Sequence, residues 1–390
     1  MSENRPVASR IRVRPGRGAQ PTVDQHPGWV DQSVRQYARL CAVMLGMQAM
    51  VTGEGMVLQE AHSAAWWCML LAMLGGLLIW IPTWGIMKLG DKPMSLDEAF
   101  AAAYGRVAGG ALTLVYSVMF AFNAAIGLRV LSSLVGHYML MDSDQTVVSL
   151  IALGALALIL VRRGLIGMAR LAWAVHTFFG ITMVIASIVL LQNANVDNLF
   201  PLMGNEVHET LGSIPIGASA FAGVLSMAMM PKMTGSARPV RFHAGLRALL
   251  FAGIGAALLV LVTNLCMPPR AVQGTLVWGR EMMLAAAFVQ NEAFRLFFLM
   301  LLVIGLIFAL GNSIGTSAML AQEALGVKAR AWPDLVVCLV LAVVLLLFPA
   351  QSFMDNAMPL LVYRLPLALI PIWVTWAVLA IRMKRKGAAA

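Results

Sequence analysis

Charge is scarce in this chain: Asp, Glu, Lys and Arg make up 12% of its 390 residues, about half the share of a soluble domain. With 60% of residues hydrophobic, that shortage excludes an ordinary soluble protein. The apolar runs are continuous and do not alternate with polar residues, which excludes a transmembrane β-barrel. Cysteine is rare too. Cys41, Cys68, Cys266 and Cys338 all fall inside apolar runs. They have no metal-ligand spacing and form no disulfide framework, so they read as small buried hydrophobes. Catalytic signatures are missing: there is no GxSxG, no HExxH, no phosphate loop and no Cys/His metal spacing. Neither enzyme activity nor a cofactor is expected. The first apolar run begins near residue 37, behind a long polar tail, and no A-x-A-like site follows it. It therefore reads as a membrane span and not as a cleaved signal.

What is present is a series of apolar runs long enough to cross a bilayer. About ten can be drawn, at 37–58, 65–87, 107–135, 146–162, 168–191, 212–231, 243–266, 293–322, 333–349 and 358–381. The uneven lengths imply tilt or breaks. The expectation is an all-α polytopic membrane protein, with a transmembrane domain over 35–383, a tail over 1–34 and a short C-terminal tail over 384–390. Residues Met1–Asp31 are rich in Arg, Pro and Gly and are expected to be disordered. They read as a topogenic tail, or as a segment attracted to anionic lipid or a cytoplasmic partner.

The net charge of +10 is distributed by loop, which argues for topology and against nucleic acid. With the N-terminus inside, the internal segments hold Arg35 and Arg39, Lys88 and Lys92, Arg162 and Arg163, Lys232 and Arg247, Lys328 and Arg330, and Arg382 to Lys386. External loops carry Asp142, Asp144, Asp197, Glu206, Glu209 and Asp355, with Arg270, Arg280 and Arg295 as exceptions. This alternation fits the positive-inside rule with both termini cytoplasmic. Asp142 and Asp144 read as a solvated turn.

Thr52-Gly53-Glu54-Gly55 sets a carboxylate between two glycines inside the first span. An acid at depth costs about 2.5–3.5 kcal/mol on insertion scales and usually faces a cavity or a partner. Each glycine weakens the helix by about 1 kcal/mol relative to Ala. Ten spans divide into two halves of five, an odd number, so the second half is inverted. Span six then corresponds to span one, and inverted-repeat transporters break both of these helices. Span six supplies the second candidate break, with Gly217, Ser219, Phe221 and Gly223. Ordinary small-residue packing is the alternative for it. Residues 39 to 54 cover about 22 Å of helix, which sets Glu54 in the outer half of a core about 30 Å thick. A snorkelling carboxylate at the outer interface is the competing reading.

Other intramembrane polar residues extend the candidate site. Tyr116, Phe120 and Asn123 share one face of span three and form either a cavity wall or a packed face. Gly305, Phe308, Asn312 and Gly315 share a face of span eight, where Asn312 is a candidate polar contact. Arg129 reads as snorkelling to the outer interface, or as a partner for a ligand carboxylate or for Glu54. His176 reads as a helix-contact residue or, less simply, a proton relay. Arg364, between Pro359 and Pro366, reads as an interfacial residue near the outer face.

Several local patterns, in order, resemble the spore-germination permeases, the B subunits of germinant receptors, within the amino acid–polyamine–cation superfamily. They are Ala65-Trp66 opening span two, Ser95-Leu96-Asp97-Glu98-Ala99-Phe100 before span three, and Leu128-Arg129 in its outer part. Arg163-Gly164 through Arg170 follows between spans four and five, and Asn198-Leu199-Phe200-Pro201 after span five. The resemblance covers about residues 35–383. It implies a LeuT-like 5+5 inverted repeat with broken helices one and six. It further implies an amino acid or similar nutrient bound between spans one, three, six and eight, and a hetero-oligomer with A- and C-type subunits in the spore inner membrane. Members often carry Gly-Glu in span six, whereas here Val224 follows Gly223, so Glu54 would supply the charge from span one or the ligand would differ. The readings that compete are a ligand-sensing receptor subunit, a proton-coupled amino acid symporter, and a scaffold subunit with a degenerate site.

Overall fold

A run of more than about 20 apolar residues crosses the bilayer once, and two helical stretches here are far longer than one crossing needs. The structure, a computed structural model, describes residues 27–89, 92–138, 144–204, 206–234, 240–266, 292–327 and 332–388. Seven of its helical stretches are long and apolar enough to span. Two of them, Gln32–Lys88 and Gln145–Leu190, turn back on themselves and cross twice. The short helix Trp332–Leu347 is a further pass, so the expected ten are present.

Span one comprises Pro27–Gln48, a π-helical turn Ala49–Gly53 and Glu54–Ala61. Its first residues occupy part of the segment expected to be a tail; residues 1–26 lie outside the described residues. The chain turns at His62, where φ is 51°, and span two follows as Ala65–Lys88. Val57 and Ala72 pack on the same residue, Gly217. In a straight helix those two residues would be about 22 Å apart, so spans one and two form an antiparallel hairpin.

The same argument separates spans four and five. Gly164 has φ 61°, a backbone that side chains resist and glycine accepts. Leu156 and Met168, on either side of it, both lie against Gly311 of span eight. Asp144 accepts a bond from Thr146 N at 2.7 Å and caps the start of span four, so it is a helix cap and not merely a solvated turn. Asp142 lies outside the described residues.

A short helix, Leu96–Tyr104, leads into span three (Arg106–Tyr138). Ser95 and Glu98 form a capping box at its start, which satisfies two amides that a helix beginning leaves unpaired. Its Leu96, Ala99, Phe100 and Ala103 are buried, which makes it amphipathic. Span six is Val207–Ala220, a 3-10 stretch Phe221–Met229, and Met230–Thr234. Span seven is Phe242–Cys266 and span eight is Glu292–Leu325. Span nine is Trp332–Leu347, and span ten runs through Ala350–Leu360, Leu361–Tyr363 and Arg364–Ala388.

Three features hold this frame. Ser117 Oγ donates to the Ser317 carbonyl at 2.7 Å while Ser317 Oγ donates to the Ser117 carbonyl at 2.8 Å, a reciprocal clasp between spans three and eight. At one end of the bundle Lys232 Nζ meets Asp97 and Glu323, at 2.5 and 2.9 Å, tying span six to the entry helix and to span eight. At the other end the segment after span five is tied to spans two and seven: Trp67 Nε1 donates to the Leu202 carbonyl at 3.0 Å and Asn195 N to the Leu265 carbonyl at 2.8 Å. Exposed Ile151, Leu158, Leu171, Ile181 and Leu339 give spans four, five and nine an apolar outer face suited to lipid.

Candidate functional site

Both expected breaks exist, and they touch. A Cβ on Gly53 would come within 2.8 Å of Ala220 Cβ, and one on Gly217 within 2.9 Å of Val57 and Ala72. Gly223 lies so close to span one that a side chain there would overlap Gln48 and Met44. The glycines that weaken the helices are thus also the points of closest approach between spans one and six. Thr52 Oγ1 donates to the Gln48 carbonyl at 2.7 Å within the π-turn. Such turns appear mostly as local insertions at functional sites.

Next to the break in span one lies a buried polar network that draws on five spans, one, three, six, eight and ten. Arg364 of span ten donates from Nη1 to Asn123 Oδ1 at 2.8 Å and from Nη2 to Gln48 Oε1 at 3.2 Å. Asn123 Nδ2 donates onward to Ser313 Oγ at 3.1 Å. Asn312 Nδ2 reaches Met44 Sδ at 3.0 Å and Ser226 Oγ at 3.5 Å. Cys41 and Ser226 are 3.3 Å apart, and Tyr37 donates to the Ser226 carbonyl at 3.2 Å. Thr52, Gln48, Asn123, Gly127 and Ser313 also line a cavity of about 20 Å³, room for about one water molecule.

Arg364 is only 4% exposed, so the interfacial reading is corrected: it sits inside the bundle. Among the described residues no carboxylate lies within ion-pair distance of it, since Lys232 makes both ion pairs. Among the described residues its Nε, Gln48 Nε2 and Asn312 Oδ1 are buried and have no hydrogen-bond partner. Buried polar groups are nearly always paired, and each exception asks for an explanation such as a ligand or an ion.

The remaining expected residues are distributed around this centre. Glu54 is 0% exposed and is enclosed by the protein. Gly55 follows it, buried, in the last helical segment of span one. Tyr116 is buried and bonds to the Leu367 carbonyl of span ten at 2.9 Å, away from the small cavity. Phe120 is buried. Ser219 bonds within its own helix, to the Ile216 carbonyl at 2.6 Å. Phe221 packs beside Gly76 of span two. Arg129 contacts neither Glu54 nor the network. It is buried and donates to the Leu345 and Phe348 carbonyls, both at 2.5 Å, at the end of span nine, where a cation suits the helix dipole. His176 stacks on Phe251, with ring centroids 4.2 Å apart.

Sequence reasoning missed Gln48, Ser226, Ser313 and the depth of Arg364. Gln48 was legible in principle, as a lone amide in an apolar run one turn before the glycines.

Solved structures share this architecture. The nucleobase-cation-symport-1 family transporter Mhp1, in a closed conformation with bromovinylhydantoin bound, superposes with a TM-score of 0.62 at 12% identity, covering 86% of this chain and 77% of that one. A manganese transporter from Eremococcus coleocola, in two single-substitution forms, gives 0.56 at 14% identity over 92% of this chain and 87% of that one. At such identities the likeness shows the fold: a LeuT-like, ten-span transporter architecture. No curated protein sequence matches the chain. The profile of the spore permease family, described as Spore germination protein, matches residues 34–355, just short of Arg364. With that match over most of its length, the chain belongs to the spore germination permease family.

Proposed function

We propose that the chain is the nutrient-binding membrane subunit of a germinant receptor. An amino acid or similar small nutrient binds where the breaks of spans one and six meet spans three and eight. The single observation that carries this reading is Arg364, a buried guanidinium with no carboxylate partner among the described residues. A charge removed from water is costly unless paired, and a ligand carboxylate would pair it, since the guanidinium fork matches that group. Gln48 Nε2 offers a second donor and Asn312 Oδ1 an acceptor for an ammonium group.

In this reading Thr52, Asn123 and Asn312 contact the ligand, and Gly53, Gly55, Gly217, Ser219 and Gly223 let the backbone come close. Tyr116, Phe120 and Phe221 are the packing behind that surface, and Glu54 is the acid toward an amine on the outer side. A cavity of about 20 Å³ is too small for an amino acid, so binding requires spans one, six and ten to separate from three and eight. Both termini face the cytoplasm, on the alternation of basic loops, and A- and C-type subunits complete the receptor in the spore inner membrane.

The test is the thermal shift of the purified chain against a panel of free L-amino acids. Arg364→Gln is expected to weaken the response at least tenfold, with Arg364→Lys intermediate because it keeps the charge and loses the fork. A full response in Arg364→Gln would overturn the carboxylate role. Glu54→Gln should also weaken binding while assembly stays normal, and an unchanged shift would sink the role given to Glu54. Uptake of labelled amino acids by proteoliposomes separates a sensor from a symporter, since a sensor gives no concentrative flux. Co-purification with A- and C-type subunits tests the assembly.

A further inference from the structure

A cavity far larger than the one beside the breaks lies elsewhere in the bundle. It has a volume of about 810 Å³ and lies between the starts of spans one and seven and the middle of span five. Four arginines line it, Arg35, Arg39, Arg241 and Arg247, together with His176 and His243, and among the described residues no Asp or Glu does. Lys232, at the same basic end of the bundle as the alternation of loops has it, is met by two carboxylates. None of the four arginines has one within ion-pair distance among the described residues.

The pocket is built on its inner side. His176 stacks on Phe251 to form part of the wall. The Arg39 guanidinium stands 5.4 Å from the centre of the Trp173 ring, and its Nη1 is buried without a hydrogen-bond partner among the described residues. Like charges brought together in a concave, partly apolar site repel one another and raise the local potential for anions. Trp173 is 54% exposed, and it continues into the apolar outer face of span five. An amphipathic ring of that kind sits at headgroup level in membrane proteins, and basic pockets between spans on the cytoplasmic side hold anionic headgroups.

We propose that this pocket binds a phosphate-bearing anion, through Arg35, Arg39, Arg241 and Arg247. The site is separate from the nutrient site proposed above and does not depend on it. The ligand chemistry has two sources, an anionic lipid headgroup entering past Trp173 or a free phosphate from solution.

The experiment measures the melting temperature of the full chain in an uncharged detergent. The additions are phosphatidylglycerol, phosphatidylcholine or inorganic phosphate. Phosphatidylglycerol is expected to raise the melting temperature and phosphatidylcholine to leave it unchanged. An equal rise with inorganic phosphate alone assigns the site to the soluble anion. The double variant R39Q/R247Q should lose at least half of the rise, while R162Q/R163Q, basic residues outside the pocket, should keep it. Because Arg39 is packed against Trp173, the exposed Arg241→Glu serves as a second variant and should show the same loss without disturbing packing. The proposal is overturned if neither anion shifts the melting temperature, or if Arg241→Glu responds as the parent does.

Discussion

The breaks in spans one and six lie side by side and distort their helices in opposite directions. Span one widens into a π-turn at Ala49–Gly53, and span six tightens into a 3-10 stretch over Phe221–Met229. The wide turn lies among groups that can bond a ligand, Gln48, Thr52 and Glu54. The tight stretch is entirely buried and holds no ionisable side chain. Nine residues is long for a 3-10 segment, whose hydrogen bonds are poorer than those of an α-helix, and a mid-helix run of that kind often marks a hinge. The difference suggests a division of labour, with span one presenting chemistry and span six supplying the bend.

The comparison breaks most readily where the two spans touch. Gly53→Val and Gly217→Val both force extra atoms into filled space, so each should cost about 1–3 kcal/mol or more through overpacking, read as a lower melting temperature in detergent. Equal tolerance of valine at both positions would mean that the close approach is not needed. Next in size, Gln48→Ala removes an acceptor of the Arg364 guanidinium and leaves a buried donor unpaired, at about 1–3 kcal/mol. Ser226→Ala on the span-six side should cost less than about 1 kcal/mol, because Tyr37 bonds the Ser226 backbone and the hydroxyl makes only long contacts, to Cys41 at 3.3 Å and Asn312 at 3.5 Å. A reversed order would assign the chemistry to span six. The smallest effect is expected from Thr52→Val, about 0.5 kcal/mol, the low end for a single hydrogen bond. That variant keeps the shape and removes the bond to the Gln48 carbonyl. Faster hydrogen exchange confined to 49–53 would identify the hydroxyl as a brace of the π-turn.

Much of this architecture was legible in the residues. Apolar runs gave the ten passes, and the glycines marked both breaks because weakening a helix and permitting close approach need the same small residue. Gly164 entered only through the family resemblance, and its physical reason is a different one, a φ of 61° that glycine accepts. Depth was harder. Arg364 was counted from a span beginning at 358, where it would lie near the outer surface. The helical path instead starts at Ala350 and passes a 3-10 turn at Leu361–Tyr363, which carries the arginine into the bundle. Counting along one helix cannot reveal the partners that other helices bring, so the bonds to Gln48 and Asn123 were invisible. Arg129 failed similarly: its acceptors are carbonyls more than 200 residues away.

Those carbonyls belong to the shortest pass. Span nine has 16 residues, about 24 Å of helix, whereas the hydrocarbon layer is about 30 Å thick. A helix that stops early exposes its last carbonyls to lipid tails, or draws the surrounding leaflet inward. Arg129 removes that choice by meeting two carbonyls from inside the protein. The pass can then tolerate membranes of different thickness without thinning them. Replacing Arg129 with methionine should make stability depend on acyl-chain length, falling as the lipids lengthen.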